Sequence, residues 1–578
     1  MKIQYMKMRK LIIFLLPIFL LGCVKEKAKD ENSIRVRAVK DVATLNPITY
    51  GGMIEARIIF ELVYQSLLTI DMEDNEIKPV LAESLPLIEV NDSVSFFSYT
   101  IRDEAVWPNG DPITASDVLF TLKATNCPLI NNEKERMSLD FIQNMEVSAS
   151  DAKEFTFKCE GYVEDMTVMT GGIYILPEYK YDPAGLLKKY SFTEIKEGYE
   201  SLKNDPAIQD FAKQFNLISA SHEPNAFEGS AGYVLTAWQT DQYVALQKKS
   251  EWWAEDLNLS HITANPDKII YQIIPDDAAA TLALKNGQLD VMRDIPANEF
   301  LALSKDSSFL KQYNLFSPFT YAVNYIGINS RSPKFQGKKT RQAFAHILNV
   351  EDMIESIGQS PKSRSNSLIS PYDKKNYNNT IEPFPFDLEK AKRLLQEDGW
   401  VYENGGWYKI VFGKKEQLSG SIQYKAGKGD YENIALIFKQ SAEKIGIPIE
   451  VNPVENSVLS GNLRQHKFDF YIRSLIGNPF AFNFTPILHT QSSVLNGMNY
   501  TAFGTPASDS LIESIISEKD KKKQALQIKE FQEILHDEGN LLFLYFDEQK
   551  IAVHNRFENL KISGLYPNYD ISAFKTKE

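Results

Sequence analysis

Between residues 100 and 123 the chain reads TIRDEAVWPNGDPITASDVLFTLK, and the spacing of its apolar positions changes half-way. Ile101 to Trp107 reads as extended chain. Pro108-Asn109-Gly110-Asp111-Pro112 supplies the preset and positive φ values of a turn. Thr114 then caps a helix whose apolar stripe is Val118, Leu119 and Leu122, with Asp117 three residues after the cap where a capping-box acid belongs. The same test applied along the chain predicts a strand at Ile34-Arg35-Val36-Arg37-Ala38-Val39 and a helix over 53–68 from Ile54, Ile58, Leu62 and Leu67. Short strands are predicted at 154–158 and 172–176, with a charged helical segment from Phe192 to Phe215. A strand over 268–276 leads into a helix over 277–285 that Asn286-Gly287 stops. Asn404-Gly405-Gly406 is the turn of a hairpin between Val401-Tyr402 and Trp407-Tyr408. Later come a helix at 434–445, a strand at 447–451, a helix at 524–535 and a buried strand at 541–546.

The first residues follow a different pattern. Lys2, Lys7, Arg9 and Lys10 precede the apolar run Leu11–Leu21, which is short for a membrane span and closes on Leu20-Leu21-Gly22-Cys23. This resembles a bacterial lipobox, which implies cleavage before Cys23, a thioether lipid on its thiol, and anchoring stronger than one acyl chain gives. Residues 1–22 are therefore expected to be a signal peptide, and 23–33 a polar tether.

A length of 578 residues exceeds what one core supports, so two or three domains are expected. The net charge of −13 leaves no basic stripe for phosphates, which argues against nucleic acid as a partner. Removing residues 1–22 takes away four basic and no acidic side chains, so the mature chain is more acidic still. Export would put Cys127 and Cys159 where a disulfide persists, but spacing alone leaves their pairing open. The seven His residues are scattered, and neither Gly-x-Ser-x-Gly nor His-Glu-x-x-His occurs, so a secreted hydrolase has no positive support. Asp71-Met72-Glu73-Asp74-Asn75-Glu76 lacks the glycine of a calcium loop and reads as a solvated turn.

A series of collinear segments carries a further reading. Pro79-Val80-Leu81-Ala82-Glu83-Ser84 precedes the opening stretch, and Leu45-Asn46-Pro47 and Tyr64-Gln65-Ser66-Leu67 lie upstream of it. Downstream stand Gly229-Ser230-Ala231-Gly232-Tyr233, Trp252-Trp253, Pro275-Asp276, Asn286-Gly287-Gln288-Leu289-Asp290, Tyr325-Ile326-Gly327-Ile328-Asn329, Arg341-Gln342-Ala343-Phe344 and Phe386-Asp387-Leu388-Glu389-Lys390. Together they resemble the family 5 extracellular solute-binding proteins of ABC importers, the oligopeptide- and dipeptide-binding group. One such motif is weak; about eight in order are not. Gly337-Lys338-Lys339 departs from the family, which usually places an acid before the arginine of that helix.

The resemblance implies an α/β fold of class II periplasmic-binding-protein type, with two lobes, three domains and two interlobe crossovers. Domain I would comprise 34–71, 219–315 and 546–578, domain II 72–218, and domain III 316–545, with crossovers near 316–325 and 541–547. It implies a binding protein without catalytic residues, metal or other cofactor, working as a monomer with a membrane permease. The solute would be a peptide; an oligosaccharide, or a nickel or haem chelate, is the alternative. Family members grip an extended peptide through main-chain hydrogen bonds. The segments in matching places are Tyr50-Gly51-Gly52-Met53, then Arg473-Ser474-Leu475 with Asn478, and Tyr545 with Asp547. Peptide-binding members carry an aspartate for the ligand's α-ammonium after the second-lobe cleft strand, where this chain has the uncharged Asn478.

Overall fold

The strand Ser33–Ala38 is buried on both faces, as a parallel strand at the centre of a sheet must be. It pairs in parallel with Lys268–Ile273 on one side and Val291–Met292 on the other, Val36 lying opposite both Tyr271 and Val291. The computed structural model describes residues 32–577, apart from 92, 478, 481 and the side chain of 361. The signal-like segment, Cys23 and Asn478 therefore lie outside the described residues.

Three sheets organise the molecule. The first has seven strands in the order Tyr313–Phe316, Ile551–His554, Val291–Met292, Ser33–Ala38, Lys268–Ile273, Tyr243–Lys248 and Tyr233–Gln239. Its first half is stitched by the fully buried Asp290, which takes Arg35 at 2.9 Å and Arg556 at 3.1 Å. The second has five strands, Ile449–Val454, Gly420–Lys425, Phe470–Ile476, Phe319–Ile328 and Leu541–Glu548. The third is an antiparallel sheet of four, Leu87–Asn91, Val94–Thr100, Glu154–Glu160 and Ile142–Val147. The helix Ala115–Asn126 is capped by Thr114 and Asp117 as its sequence predicts, Asp117 accepting the Thr114 amide at 3.0 Å. It is buried on more than the one expected stripe. Val118 and Leu122 join the core under the four-stranded sheet, while Phe120 and Ala124 join the core of the seven-stranded one.

The chain passes between the seven- and five-stranded sheets twice, at Ser317-Pro318 and at Gln549-Lys550. Leu541–Glu548 lies wholly in the five-stranded sheet, so the crossing follows the segment expected to contain it, and a boundary at 546 falls inside a strand. The helix expected over 53–68 is also shorter. Only Ile54–Phe60 is helical, and the apolar spacing continues because Val63, Tyr64 and Leu67 enter cores from a turn.

Cys127 and Cys159 are free thiols in two different cores, Cys127 ending the Ala115–Asn126 helix and Cys159 facing inward from its strand. The disulfide left open by the sequence is thus not formed. Burial pushes both thiols up to about 12.

Candidate functional site

On the seven-stranded side, the chain leaves Ser33–Ala38 and turns at Asn46, whose side chain accepts the Ile48 amide at 2.9 Å and donates to Ser219 at 3.0 Å. Gly51 and Gly52 follow with φ of +62° and +76°, a left-handed pair that favours glycine. A Cβ on Gly52 would stand 2.0 Å from the Lys134 ammonium. Met53 then opens the helix Ile54–Phe60. Tyr50 packs edge-on against Phe60 at 5.1 Å with Lys134 over its ring at 5.4 Å, and burial, with Glu135 nearby, raises its hydroxyl pKa.

Tyr50 borders a cavity of about 570 Å³ whose walls come from the segments around the seven- and four-stranded sheets and include none from the five-stranded one. Glu61 organises one wall, accepting Arg57 at 2.6 Å and the Tyr174 hydroxyl. Glu135, Trp252 and Tyr566 contribute further. Sequence reasoning missed Arg57, Glu61, Glu135, Tyr174 and Tyr566. Only Arg57 and Glu61 left a trace, as an i,i+4 pair of opposite charge.

On the five-stranded side, Phe470–Ile476 lies between Phe319–Ile328 and Gly420–Lys425, placing Arg473 opposite Tyr325, Ser474 opposite Asn324 and Leu475 opposite Val323. The Arg473 guanidinium lies 6.0 Å from the Tyr500 ring centroid, and the Ser474 hydroxyl is buried without a hydrogen-bond partner. Leu475 lines a second cavity of about 150 Å³ with Tyr321, Asp373 and Phe482, closed from the other side by Asp165. Tyr545 does not reach a surface. It is fully buried with Tyr431 in the core behind the sheet, so it supports the wall instead of forming its face. Asp547 is partly exposed, and its Oδ1 accepts the Asn324 amide at 2.6 Å. Burial raises its pKa, against Lys428 and Asn324, which lower it.

The two crossings run side by side and are tied together. The Gln549 amide donates to Pro318 at 2.9 Å; Ser317 bonds Glu548 at 2.8 Å and receives Lys550 at 2.9 Å, and Lys550 pairs with Glu548. Further out, Asn75 donates to the Tyr321 hydroxyl at 3.1 Å, Gln524 donates to Glu164 at 3.2 Å, and Lys521 pairs with Glu164. Asn75 sits in the Asp71–Glu76 turn, which joins two short strands. Among the described residues no group of three His, Cys, Asp or Glu side chains is arranged to hold a metal.

Two lobes are thus joined by a paired crossing and touch again where Asn75 meets Tyr321 and where Glu164 meets Gln524 and Lys521. The profile of the bacterial extracellular solute-binding proteins, family 5 Middle, matches residues 76–493. The chain belongs to this family. It is accordingly a binding protein and not an enzyme. It is 23% identical over 577 residues to the oligopeptide-binding protein AppA of Bacillus subtilis, covering 97% of each chain. The structure of that Bacillus subtilis AppA in complex with a nonapeptide superposes with a TM-score of 0.61 at 21% identity, covering 94% of this chain and 99% of that one. NikA from Brucella suis in complex with Fe(III)-EDTA superposes with a TM-score of 0.69 at 16% identity, covering 94% and 100%. At such identities these likenesses concern the fold. A nonapeptide in one neighbour and a metal chelate in the other leave the solute to be argued from this chain.

Proposed function

We propose that this protein is the lipid-anchored receptor of an ABC importer, which captures peptides between its lobes and hands them to a membrane permease. The observation that carries the reading is the double crossing that joins a lobe holding a roomy cavity to a second lobe. The first lobe carries Gly51-Gly52 next to Tyr50, which borders that cavity, and the second carries Arg473, Ser474 and Leu475 in a strand. A ligand that is itself an extended backbone suits such a site, since main-chain groups supply affinity while wet side-chain space tolerates variety. Domains I and II, with domain I resuming after Glu548 instead of at 546, would form one lobe and domain III the other, acting as a monomer. Domain III would begin just after Ser317-Pro318 and end at Glu548. Anchoring rests on the basic start, the apolar run and Cys23; labelled fatty acid should enter the parent protein and not Cys23→Ser.

Mass spectrometry of small molecules that copurify with the protein tests the solute class. Peptides of mixed sequence and narrow length are expected. A chelate or an oligosaccharide in their place would overturn the peptide reading while leaving the two-lobed binding mechanism standing. Scattering with saturating ligand should show a more compact molecule, and ligand should raise the melting temperature by mass action.

A further inference from the structure

The second lobe carries an apolar surface that its own packing does not account for. Val401–Glu403, Gly406–Val411 and Lys414–Gln417 form a small antiparallel sheet. Its base is fixed, because Trp407 is buried in the core behind the five-stranded sheet and donates to Ile445 at 2.8 Å, and Leu418 enters the same core. Only 406–408 pair with Val401–Glu403, so 409–416 continue as a two-stranded ribbon to the turn at Phe412-Gly413. A Cβ on Gly413 would meet nothing within 4 Å. The tip stands free.

Val401 lies opposite Tyr408, two residues from Ile410, so the face turned away from Trp407 presents Val401 and Ile410, both exposed. Phe412 is the most exposed large apolar side chain among the described residues, in a left-handed conformation that asparagine or glycine adopts at less cost. A residue that strains its turn and packs on nothing is not explained by the fold. Charge at the tip also runs against the rest of the chain. Residues 406–417 hold three lysines and one acid, whereas the whole chain has a net charge of −13. Lys414 and Lys415 are both exposed beside the tip, Lys415 in an ion pair with Glu403.

Size and sign decide what covers such a tip. Three apolar side chains cannot bury the roughly 800 Å² per partner of a stable protein–protein contact. A bilayer needs no matching shape: an apolar side chain at the headgroup boundary, with lysines among anionic phosphates, is enough for a weak contact. An anchor at Cys23 would hold the lobe near that surface and supply the second signal that a weak contact needs.

We infer that the Phe412 hairpin is a second membrane contact, in which Phe412 enters the headgroup boundary of an anionic bilayer and Lys414 and Lys415 meet the phosphates. This rests on the lipid-anchor reading and is independent of the solute. The intact acylated protein is reconstituted alone into vesicles of phosphatidylcholine and phosphatidylglycerol in equal parts, with and without bromine on the acyl chains. Phe412→Trp adds one indole to the six of the parent, and the difference between the two proteins isolates the tip. Bromine should quench the added fluorescence by about half or more. On phosphatidylcholine alone, or with Lys414→Glu and Lys415→Glu added, that quenching should fall about twofold or further. Tryptophan itself favours interfaces, so hydrogen exchange of 409–416 is also compared in the parent and Phe412→Asn. Exchange in the parent should be about threefold slower on anionic vesicles than on phosphatidylcholine, and in Phe412→Asn nearly the same on both. An unquenched indole, or the same exchange ratio in parent and Phe412→Asn, overturns the inference. An indole that stays in water on these vesicles and is shielded only on native membranes gives the tip to a protein partner and overturns it too. Acylation is read separately, from the mass of the N-terminal peptide: if Cys23 carries no acyl chain, the anchor reading fails and the inference goes with it.

Discussion

Phe412 shows what a single residue can reveal. With Gly413 it makes the two-residue turn between Gly406–Val411 and Lys414–Gln417, at φ of +47°, and its side chain is 84% exposed. Asparagine or glycine is the residue such a turn favours, as Asn404-Gly405 at the other end of this small sheet shows. The pattern reading accordingly found the Asn404-Gly405 hairpin and missed this one. Phe412→Asn is expected to stabilise the protein by roughly 0.5–1 kcal/mol, since it relieves a left-handed aromatic and removes no packing. Urea unfolding checks it. A loss of stability would show that the ring contributes contacts in solution.

His536 is the second case at this scale. It stacks on Phe384 at 4.1 Å with Nε2 buried and unbonded, and burial lowers its pKa to about 4. The unfolded chain, near 6.5, binds the proton more readily, so stability rises with pH across the interval and is lost as pH falls from about 6.5 toward 4. Asp537 opposes the shift and His346 reinforces it. Between pH 7 and pH 5 the parent should lose about 1–2 kcal/mol to this group, and His536→Gln should flatten that part of the profile relative to the parent. Equal pH slopes in parent and variant would mean that His536 titrates normally in the fold.

Among the elements, the strand Phe319–Ile328 repays attention because it belongs to both a motif and the hinge. Tyr325-Ile326-Gly327-Ile328-Asn329 was legible as a strand, yet nothing in the pattern explains a glycine inside it, where glycine weakens a strand. The structure does. The Tyr471 ring lies across Gly327, and a Cβ there would stand 2.3 Å from its Cε1. Gly327→Ala should therefore cost about 1–3 kcal/mol through displacement of a buried ring, despite the higher strand preference of alanine. Thermal unfolding of Gly327→Ala beside the double variant with Tyr471→Ala separates the terms: the double variant should lose less than the sum of the two single ones. Other elements were legible to the extent that they bury one face. The region 124–218 was not, because its helices serve two cores and the predicted segment Phe192–Phe215 is cut at Gly198 and Pro206 into Phe192–Glu197, Ser201–Asn204 and Pro206–Ser219.

At the scale of the molecule, the order of segments conveyed the two lobes, because each motif is a local turn or cap whose chemistry does not depend on distant partners. The cleft walls were only half legible. Tyr50 was marked by position, whereas Glu135, Tyr174 and Tyr566 line the same cavity from 39 to 431 residues apart and leave no periodic trace. The same holds for the contact that closes the rim. Glu164 stands just before the helix Asp165–Gly171, and it reaches across to Lys521 and Gln524 at the start of Lys521–Glu538. The ion pair is partly exposed, with 50% and 25% of the two side chains accessible, so it is worth at most about 1 kcal/mol. Its effect should nonetheless be visible in binding, because it joins the first lobe to the second. Apparent affinity scales with the population of the closed form, so Glu164→Ala should weaken peptide binding about two- to fivefold. The melting temperature without ligand should stay nearly unchanged, since neither lobe loses a core contact. Calorimetry with a retained peptide, beside melting curves of the same two proteins, decides the matter. A drop in melting temperature with unchanged affinity would mean that Glu164 holds its own lobe together and plays no part in closure.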